Sequence, residues 1–345
     1  MTSSWVNIAL LGLLVLLLLT GLLGLVNGAS QGAWILHLHG LGGYGLLALL
    51  VWKGRLIVEA FRQGRRSLRS PASLSFLGAA GLLLMVLGTG LAWSYAGPSS
   101  IGGFSTINMH GFLALALSIL LAWHVLARRV AVRLYPESDR RAILRLGIAG
   151  LAGVGAWLLA RPIQTVLGLS GADRRFTGSY ETGSFTGLFP STSWLFDRPP
   201  SLVPQEWALA VEGAVRRPLT ITYQELVGLA VDQATVLIDC TGGWYSVQQW
   251  QGIGLGRLLE QAGVAPEAQS CTVQSVTGYA RRFPLEEAKH FLLATHVAGK
   301  PLTPGHGFPL RLVAPDRRGF EWVKWVVDIR IETSPAWLQP PLPLQ

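Results

Sequence analysis

Cys240 closes a run of β-type residues, Val236-Leu237-Ile238-Asp239, and is followed at once by Thr241-Gly242-Gly243-Trp244. A thiolate at a strand end, beside glycines that let a bulky group approach the backbone, suits a soft metal ligand. Taken alone, the pattern favours a buried structural cysteine. The only other cysteine is Cys271 and there is no CxxC pair, which excludes a zinc ribbon and a cysteine-ligated iron–sulfur cluster. Two buried thiols or one disulfide remain open. A second set of ligand-type residues lies in apolar sequence. Leu38-His39-Gly40 leading to Val51-Trp52-Lys53 repeats as Met109-His110-Gly111 leading to Ala122-Trp123-His124, and Thr20-Gly21-Leu22 is echoed by Thr89-Gly90-Leu91. The repeat predicts two related helix pairs with His39 and His110 at similar depths. Two imidazoles at one level on facing helices can hold one haem iron axially, with glycine beside each leaving room for the porphyrin.

His124 follows His110 by fourteen residues, nearly four turns and about 21 Å along much the same helix face. That spacing suits a second, inner haem, but the repeat places Lys53 where its partner ligand would be. One outer haem b on His39 and His110 is expected, and the inner site stays open. The competing role of a membrane histidine is a hydrogen bond to a neighbouring helix, which is the reading preferred for His37. The arrangement resembles bacterial four-helix cytochrome b subunits.

The elements that must position these residues are of two kinds. Half of the 345 residues are hydrophobic and 14% are charged, too apolar for an ordinary soluble domain. Apolar runs near 5–27, 33–52, 74–96, 106–127 and 146–168 each approach the roughly 20 residues that cross a bilayer. The first charged side chain is Lys53, and the first run is too long for a cleaved signal and leads straight into the second, so it is expected to stay. The net charge of +9 does not point to nucleic acid, because it is concentrated between apolar runs. Lys53, Arg55, Arg62, Arg65, Arg66 and Arg69 form one segment; Arg128, Arg129, Arg133, Arg140, Arg141 and Arg145 form the other. By the positive-inside rule both segments and the N-terminus are cytoplasmic, and everything after the fifth span lies on the periplasmic or extracellular side of the plasma (inner) membrane. Ser138-Asp139-Arg140-Arg141-Ala142-Ile143-Leu144-Arg145 before a Gly/Ala-rich run resembles a twin-arginine export signal, a route that moves domains already folded around a cofactor.

Residues 169–204 are rich in Gly, Ser, Thr and Pro and predict a linker that partly packs on the next domain. From Trp207 the pattern turns to short strands at 208–211, 219–221, 235–238, 272–276, 310–313 and 326–329, with helical pieces near Gln224–Leu229 and Leu255–Ala262. This is a mixed, strand-dominated α+β domain.

Three ordered motifs sit on that pattern. Trp207-Ala208-Leu209-Ala210-Val211-Glu212-Gly213 opens it and Cys240 follows. Trp250-Gln251-Gly252-Ile253-Gly254-Leu255 comes next, then His306-Gly307-Phe308-Pro309-Leu310-Arg311-Leu312-Val313 with Gly319 and Lys324-Trp325. Along most of 190–333 they resemble the molybdopterin domain of the sulfite oxidase family. The resemblance implies that Cys240 ligates molybdenum beside the pterin dithiolene, while His306, Arg311 and Lys324 hold the pterin and its phosphate. Arginine's two-pronged geometry suits such an anion; exposed strand positions are the alternative for Arg311 and Lys324. Sulfite-oxidising members carry an arginine soon after the ligand cysteine, whereas this chain reads Gly243-Trp244-Tyr245. Cys240 with Trp244 is more similar to the periplasmic molybdenum-dependent methionine-sulfoxide reductases, which places Trp244 beside the cofactor. Tyr279, Arg281 and Arg282 follow another strand and are candidates to line the pocket, Tyr279 and Arg281 as catalytic groups; the alternative is an exposed loop.

The expected organisation is a multi-domain membrane protein, an all-α transmembrane bundle followed by a sulfite-oxidase-like α+β domain. Its parts are a four-helix cytochrome-b-like bundle at 1–130, a basic segment and fifth helix at 131–168, the linker at 169–204, the molybdopterin domain at 205–335 and a Pro-rich tail at 336–345. The expected activity is oxygen-atom chemistry on a small molecule, with electrons exchanged through haem with a quinone pool or another redox partner. A haem-free anchor with a separate redox partner, or a pterin-binding membrane sensor or assembly factor without turnover, are the competing functions.

Overall fold

The computed structural model describes residues 3–62, 71–128, 140–194, 197–198 and 200–343. Arg65, Arg66 and Arg69 of the first basic segment, Arg129 and Arg133 of the second, and Ser138-Asp139 of the export-like motif lie outside the described residues. The chain divides into two compact units, Met1–Tyr180 and Glu181–Gln345.

In the first unit every apolar run is a helix: α1 (Ser3–Val26), α2 (Ala33–Arg62), α3 (Pro71–Ala96), α4 (Thr106–Arg128) and α5 (Arg140–Val166). Among the described residues, each of the five contains a stretch long and apolar enough to cross a membrane, by length and composition. Their outward faces carry large apolar side chains, among them Leu84, Ile119, Leu151 and Val166, the reverse of a bundle built for water. Small residues let α2 and α5 meet: a Cβ added at Gly153 would fall 2.7 Å from the Cα of Gly45, so the two backbones come as close as glycine allows. After α5 the chain folds back on the helix ends, with Trp93 Nε1 donating to Gly178 O at 2.7 Å and Gln164 Nε2 to Ser94 O at 3.2 Å.

The second unit runs β1 (Ala208–Gly213), β2 (Leu219–Thr222), α6 (Tyr223–Leu229), β3 (Asp232–Cys240), β4 (Trp244–Gly254), α7 (Leu255–Ala262), β5 (Ser270–Ser275), β6 (Ala280–Pro284), α8 (Leu285–Ala288), β7 (Leu292–Val297), β8 (Lys300–Pro301), β9 (Arg311–Val313) and β10 (Val326–Glu332). In one sheet β4 lies between β3 and β7, and β7 also pairs with β8 and β9, all antiparallel. The other has the order β2-β1-β10-β5-β6, with β10 parallel to β1 and the remaining pairs antiparallel. Alternation along β1 buries Leu209 and Val211. A capping box between Thr222 and Glu225 starts α6. Helix α7 buries Leu255, Leu258, Leu259 and Ala262, the i, i+3, i+4, i+7 stripe of one face. At about 1.5–3 kcal/mol per buried leucine, that stripe, more than propensity, holds so short a helix in place.

The segment expected as a linker, 169–204, is divided by the fold: 169–180 goes with the helices and 181–204 with the mixed domain. Its Gly- and Pro-rich composition describes an irregular path, and irregular chain can still be buried. Phe189 is 6% exposed and belongs to the core.

Candidate functional site

The β3–β4 hairpin decides where Cys240 goes. Its register runs from Asp232 opposite Gly252 to Cys240 opposite Trp244, which leaves Thr241-Gly242-Gly243 as the turn. Gly243 has φ +91°, a conformation that a side chain would strain. Cys240 and Trp244 are therefore the last pair of the ladder. The Gly242 N–H lies 3.4 Å from Cys240 Sγ. Trp244 Nε1 donates to Thr192 Oγ1 at 3.3 Å.

Arg318 locks the cysteine from behind. Its guanidinium pairs with Asp239 at 2.7 Å and donates to the Cys240 carbonyl at 3.3 Å, and the Asp239–Arg318 backbone bridge docks this segment on the end of β3. The next residue, Gly319, packs closely: a Cβ there would stand 3.1 Å from the Cys240 Cα, tighter than an ordinary contact. Burial pushes the Cys240 thiol up, while the Gly242 N–H, Arg318 and Thr192 pull it back. Arg318 was not among the residues expected from sequence; its one signal was its place beside Gly319 in the last motif.

Two cations converge on the same end of the sheet. Gly307, at φ +106°, would bring a Cβ to 3.1 Å from Arg311 Cβ and 3.2 Å from Lys324 Cβ, so its lack of a side chain lets the two approach. Arg311 is 2% exposed, lies over the rings of Trp250 and Trp322, and donates to the His306 carbonyl at 3.1 Å. Its Nε has no partner among the described residues. Lys324 Nζ donates to Gly305 O at 2.7 Å and Thr192 O at 2.9 Å, both neutral. Neither cation has a carboxylate within ion-pair distance among the described residues. Burial, then the charge of Arg311, pushes Lys324 down to about 7, against the pull of Cys240 and Asp197. Burial likewise lowers Arg311 to about 10, with Cys240 opposing. The exposed-strand alternative for both is thereby removed.

His306 stacks on Phe189 at 4.1 Å. Its Nε2 donates to the Phe189 carbonyl at 2.9 Å, which leaves Nδ1 to accept from Thr303 Oγ1 at 3.0 Å. Both ring nitrogens are taken, so His306 serves the site through its backbone carbonyl on Arg311 and by holding the 189–192 segment. Tyr279 and Arg281 sit on the other sheet and are buried, which corrects the exposed-loop alternative. Tyr279 donates to the Phe320 carbonyl at 2.5 Å, and Arg281 to the carbonyls of Pro340 and Pro341 at 3.2 and 3.3 Å. Arg282 pairs with Glu332. Cys240, Trp244, His306, Arg311 and Lys324 are thus brought together, whereas Tyr279 and Arg281 meet the Phe320 segment and the C-terminal chain. Cys240 and Cys271 are not joined by a disulfide.

In the helical unit the rings of His39 and His110 lie 6.2 Å apart, edge to face at 82°. His37 instead meets Trp157 at 6.1 Å. Lys53 donates to Asn7 Oδ1 at 2.7 Å, and His124 is half-buried. No group of three or more His, Cys, Asp or Glu side chains placed to hold a metal occurs among the described residues. A site with one protein thiolate or one histidine pair needs none.

Residues 196–337 match the model of the oxidoreductase molybdopterin binding domain family. The C-terminal domain is an oxidoreductase molybdopterin-binding domain. The motifs that resemble the sulfite oxidase family, from Trp207 to Trp325, lie within that match. Curated relatives include the uncharacterized oxidoreductase YuiH of Bacillus subtilis, 33% identical over 128 residues, 36% of this chain and 65% of that protein. The protein-methionine-sulfoxide reductase catalytic subunit MsrP of Xanthomonas campestris is 32% identical over 157 residues, 39% of this chain and 49% of that protein. The chain therefore spans about half to just under two thirds of these relatives. Among solved structures, the sulfane dehydrogenase SoxCD of Paracoccus pantotrophus matches at a TM-score of 0.38 and 28% identity, over 39% of this chain and 40% of that one.

The molybdopterin-binding domain's own residues suit its cofactor. Arg311 and Lys324 bring positive charge with no carboxylate in ion-pair contact among the described residues, and the Arg311 Nε, without a partner among them, is a donor still to be satisfied; a phosphorylated anionic pterin would supply both a counter-charge and an acceptor. Cys240 adds a soft sulfur at a strand end kept open by glycine.

Proposed function

We propose that this protein is a membrane-bound molybdopterin-dependent oxidoreductase that carries out two-electron oxygen-atom chemistry on a small substrate outside the cytoplasm. The observation that carries this is the meeting of the Cys240 thiol with the buried Arg311 and the half-buried Lys324, neither of which has a carboxylate within ion-pair distance among the described residues. When bound, molybdenum-molybdopterin supplies the two-electron redox chemistry. Cys240 is its protein ligand, with Trp244 beside it. Arg311 and Lys324 hold the anionic end, and His306 positions Arg311. Arg318 and Gly319 fix the backbone from which the thiol projects. Tyr279 and Arg281 keep their proposed catalytic roles only in so far as the Phe320 segment carries their influence to the pocket. The likeness to a methionine-sulfoxide reductase catalytic subunit makes a sulfoxide the first substrate to assay.

The helices are the membrane anchor, crossing with the N-terminus and both basic segments inside; the arginine pair at 140–141 directs export of the folded domain. His39 and His110 would hold one haem b, which when bound would supply one-electron transfer between a quinone pool and the catalytic domain. Support comes from their approach: the two rings lie 6.2 Å apart, edge to face, close enough for both to reach one metal ion at the usual imidazole distance of about 2 Å. For the inner site, Lys53 is engaged with Asn7, so His124 has no second ligand there.

Metal analysis and the visible spectrum of the purified full-length protein test the two halves separately. Cys240→Ser is expected to lose molybdenum and turnover while keeping haem. His39→Ala or His110→Ala is expected to lose the low-spin b-type spectrum and quinone-linked turnover, but to keep molybdenum and activity with a soluble electron partner. Full activity in Cys240→Ser defeats the ligand assignment. Molybdenum with turnover but no haem in the wild type leaves the helices as a bare anchor; cofactor without any turnover favours the sensor reading.

A further inference from the structure

The two histidines dock on the preceding helix in the same way. His39 approaches Thr20-Gly21 of α1, and His110 approaches Thr89-Gly90 of α3. Thr20 Oγ1 donates to the Leu16 carbonyl at 2.7 Å, which engages its only proton. At 3.0 Å from His39 Nδ1 it can then only accept, so Nδ1 carries the proton. His110 Nδ1 lies 2.9 Å from the Val86 carbonyl and 3.5 Å from Thr89 Oγ1. A carbonyl cannot donate, so this Nδ1 is protonated too. In both neutral rings Nε2 is left with the lone pair.

The glycines set how close each ring comes. A Cβ at Gly21 would lie 3.3 Å from His39 Cε1, and one at Gly90 would lie 3.1 Å from His110 Cε1. Both are tighter than an ordinary contact, so an added methyl displaces the ring. Each half therefore contains two devices: an acceptor that selects the tautomer, Thr20 Oγ1 for His39 and chiefly the Val86 carbonyl for His110, and a glycine that seats the ring.

We propose that Thr20-Gly21 and Thr89-Gly90 are positioning elements of a two-histidine haem site, fixing His39 and His110 as Nδ1–H tautomers with Nε2 as the ligand atom. The proposal rests on the haem reading above. The halves are unequal: His39 depends on a threonine hydroxyl, whereas His110 relies on a main-chain carbonyl that no side-chain change removes. An acceptor on Nδ1–H strengthens imidazole as a ligand, and a stronger ligand favours the oxidised iron, so its loss raises the reduction potential.

The test uses the full-length protein and follows the low-spin b-type spectrum during redox titration. Thr20→Val, which keeps shape and removes the hydroxyl, is expected to raise the potential at unchanged haem content, and Thr20→Ser to restore it. Thr89→Val is expected to shift it less. Gly90→Ala is expected to convert haem to high spin or lose it to a greater extent than Gly21→Ala, with molybdenum loading unchanged in all of them. Nitrogen and proton couplings in the paramagnetic spectrum of the wild-type ferric haem need no variant, and Nε2 ligation with protonated Nδ1 on both rings is expected. A ring bound through Nδ1, or an unmoved potential in haem-containing Thr20→Val, overturns the positioning role alone. A wild-type protein without haem overturns the reading beneath it, and this proposal with it.

Discussion

Cys240 and Cys271 share a domain, a residue type and deep burial, yet they stand in opposite surroundings. Cys271 lies mid-sheet on β5, between Phe283 on β6 and Ile331 on β10, and is 0% exposed. Burial pushes its thiol up to about 12, and the negative charges of Glu332 and Asp328 add to this. Cys240 ends its strand at a glycine turn, and a backbone N–H, a guanidinium and a hydroxyl draw its thiol down against burial. Burial alone therefore does not separate a structural cysteine from a metal ligand. The glycine turn at the strand end and the donors gathered round the Cys240 sulfur, which act against burial and Asp239, do.

The largest expected effect that sharpens this contrast is Arg318→Ala. It removes the ion pair with Asp239, which is 2% exposed, and breaking such a buried pair costs about 3–5 kcal/mol. Chemical denaturation of the cofactor-free protein, followed by tryptophan fluorescence, should show the loss, with molybdenum content falling alongside. A variant as stable as the wild type would remove Arg318 from behind Cys240.

A smaller effect is expected at the other cysteine. A hydroxyl placed without a partner at this fully buried position costs about 1–3 kcal/mol. Cys271→Ser should therefore melt earlier yet keep its molybdenum, the converse of Cys240→Ser. Loss of molybdenum from Cys271→Ser at unchanged stability would break the comparison.

The smallest effect is a pH dependence at the Cys240 end. Without cofactor, Lys324 releases its proton near 7, whereas an unfolded lysine holds it to about 10.4. Between those values the unfolded chain binds more protons, so stability rises with pH, by at most about 1.4 kcal/mol per unit. The lysine is partly exposed, which reduces that slope. Lys324→Met should flatten it, and a bound anion should do the same by holding the lysine charged. Equal slopes in wild type and Lys324→Met would deny that Lys324 is buried without a counter-charge.

Much of the architecture was legible in local sequence. The apolar runs became helices because long uninterrupted runs of Leu, Ala and other helix-forming residues satisfy their backbone hydrogen bonds within the segment. The stripe Leu255, Leu258, Leu259 and Ala262 specified α7, and alternation specified β1. Three ordered motifs specified the cofactor domain, with Cys240 before its glycines. At 181–204 the Gly- and Pro-rich composition predicted a linker that partly packs on the next domain; which residues pack was not legible, and they are Phe189 in the core and Ser191 and Thr192 on Lys324.

The sequence by itself determined which elements form and which residues could bind metal, because periodicity, turn chemistry and side-chain softness are properties of neighbours along the chain. Only the tertiary structure decided what each of those residues faces. Arg318 reaches the carbonyl of Cys240 across 78 residues, Arg281 is held by Pro340 and Pro341 instead of reaching the cysteine, and Thr20 meets His39 across a helix hairpin. Such contacts are made by strand pairing and helix packing, and no local pattern encodes their partners. Whether a buried cysteine sits among positive or negative neighbours is settled by that same long-range assembly.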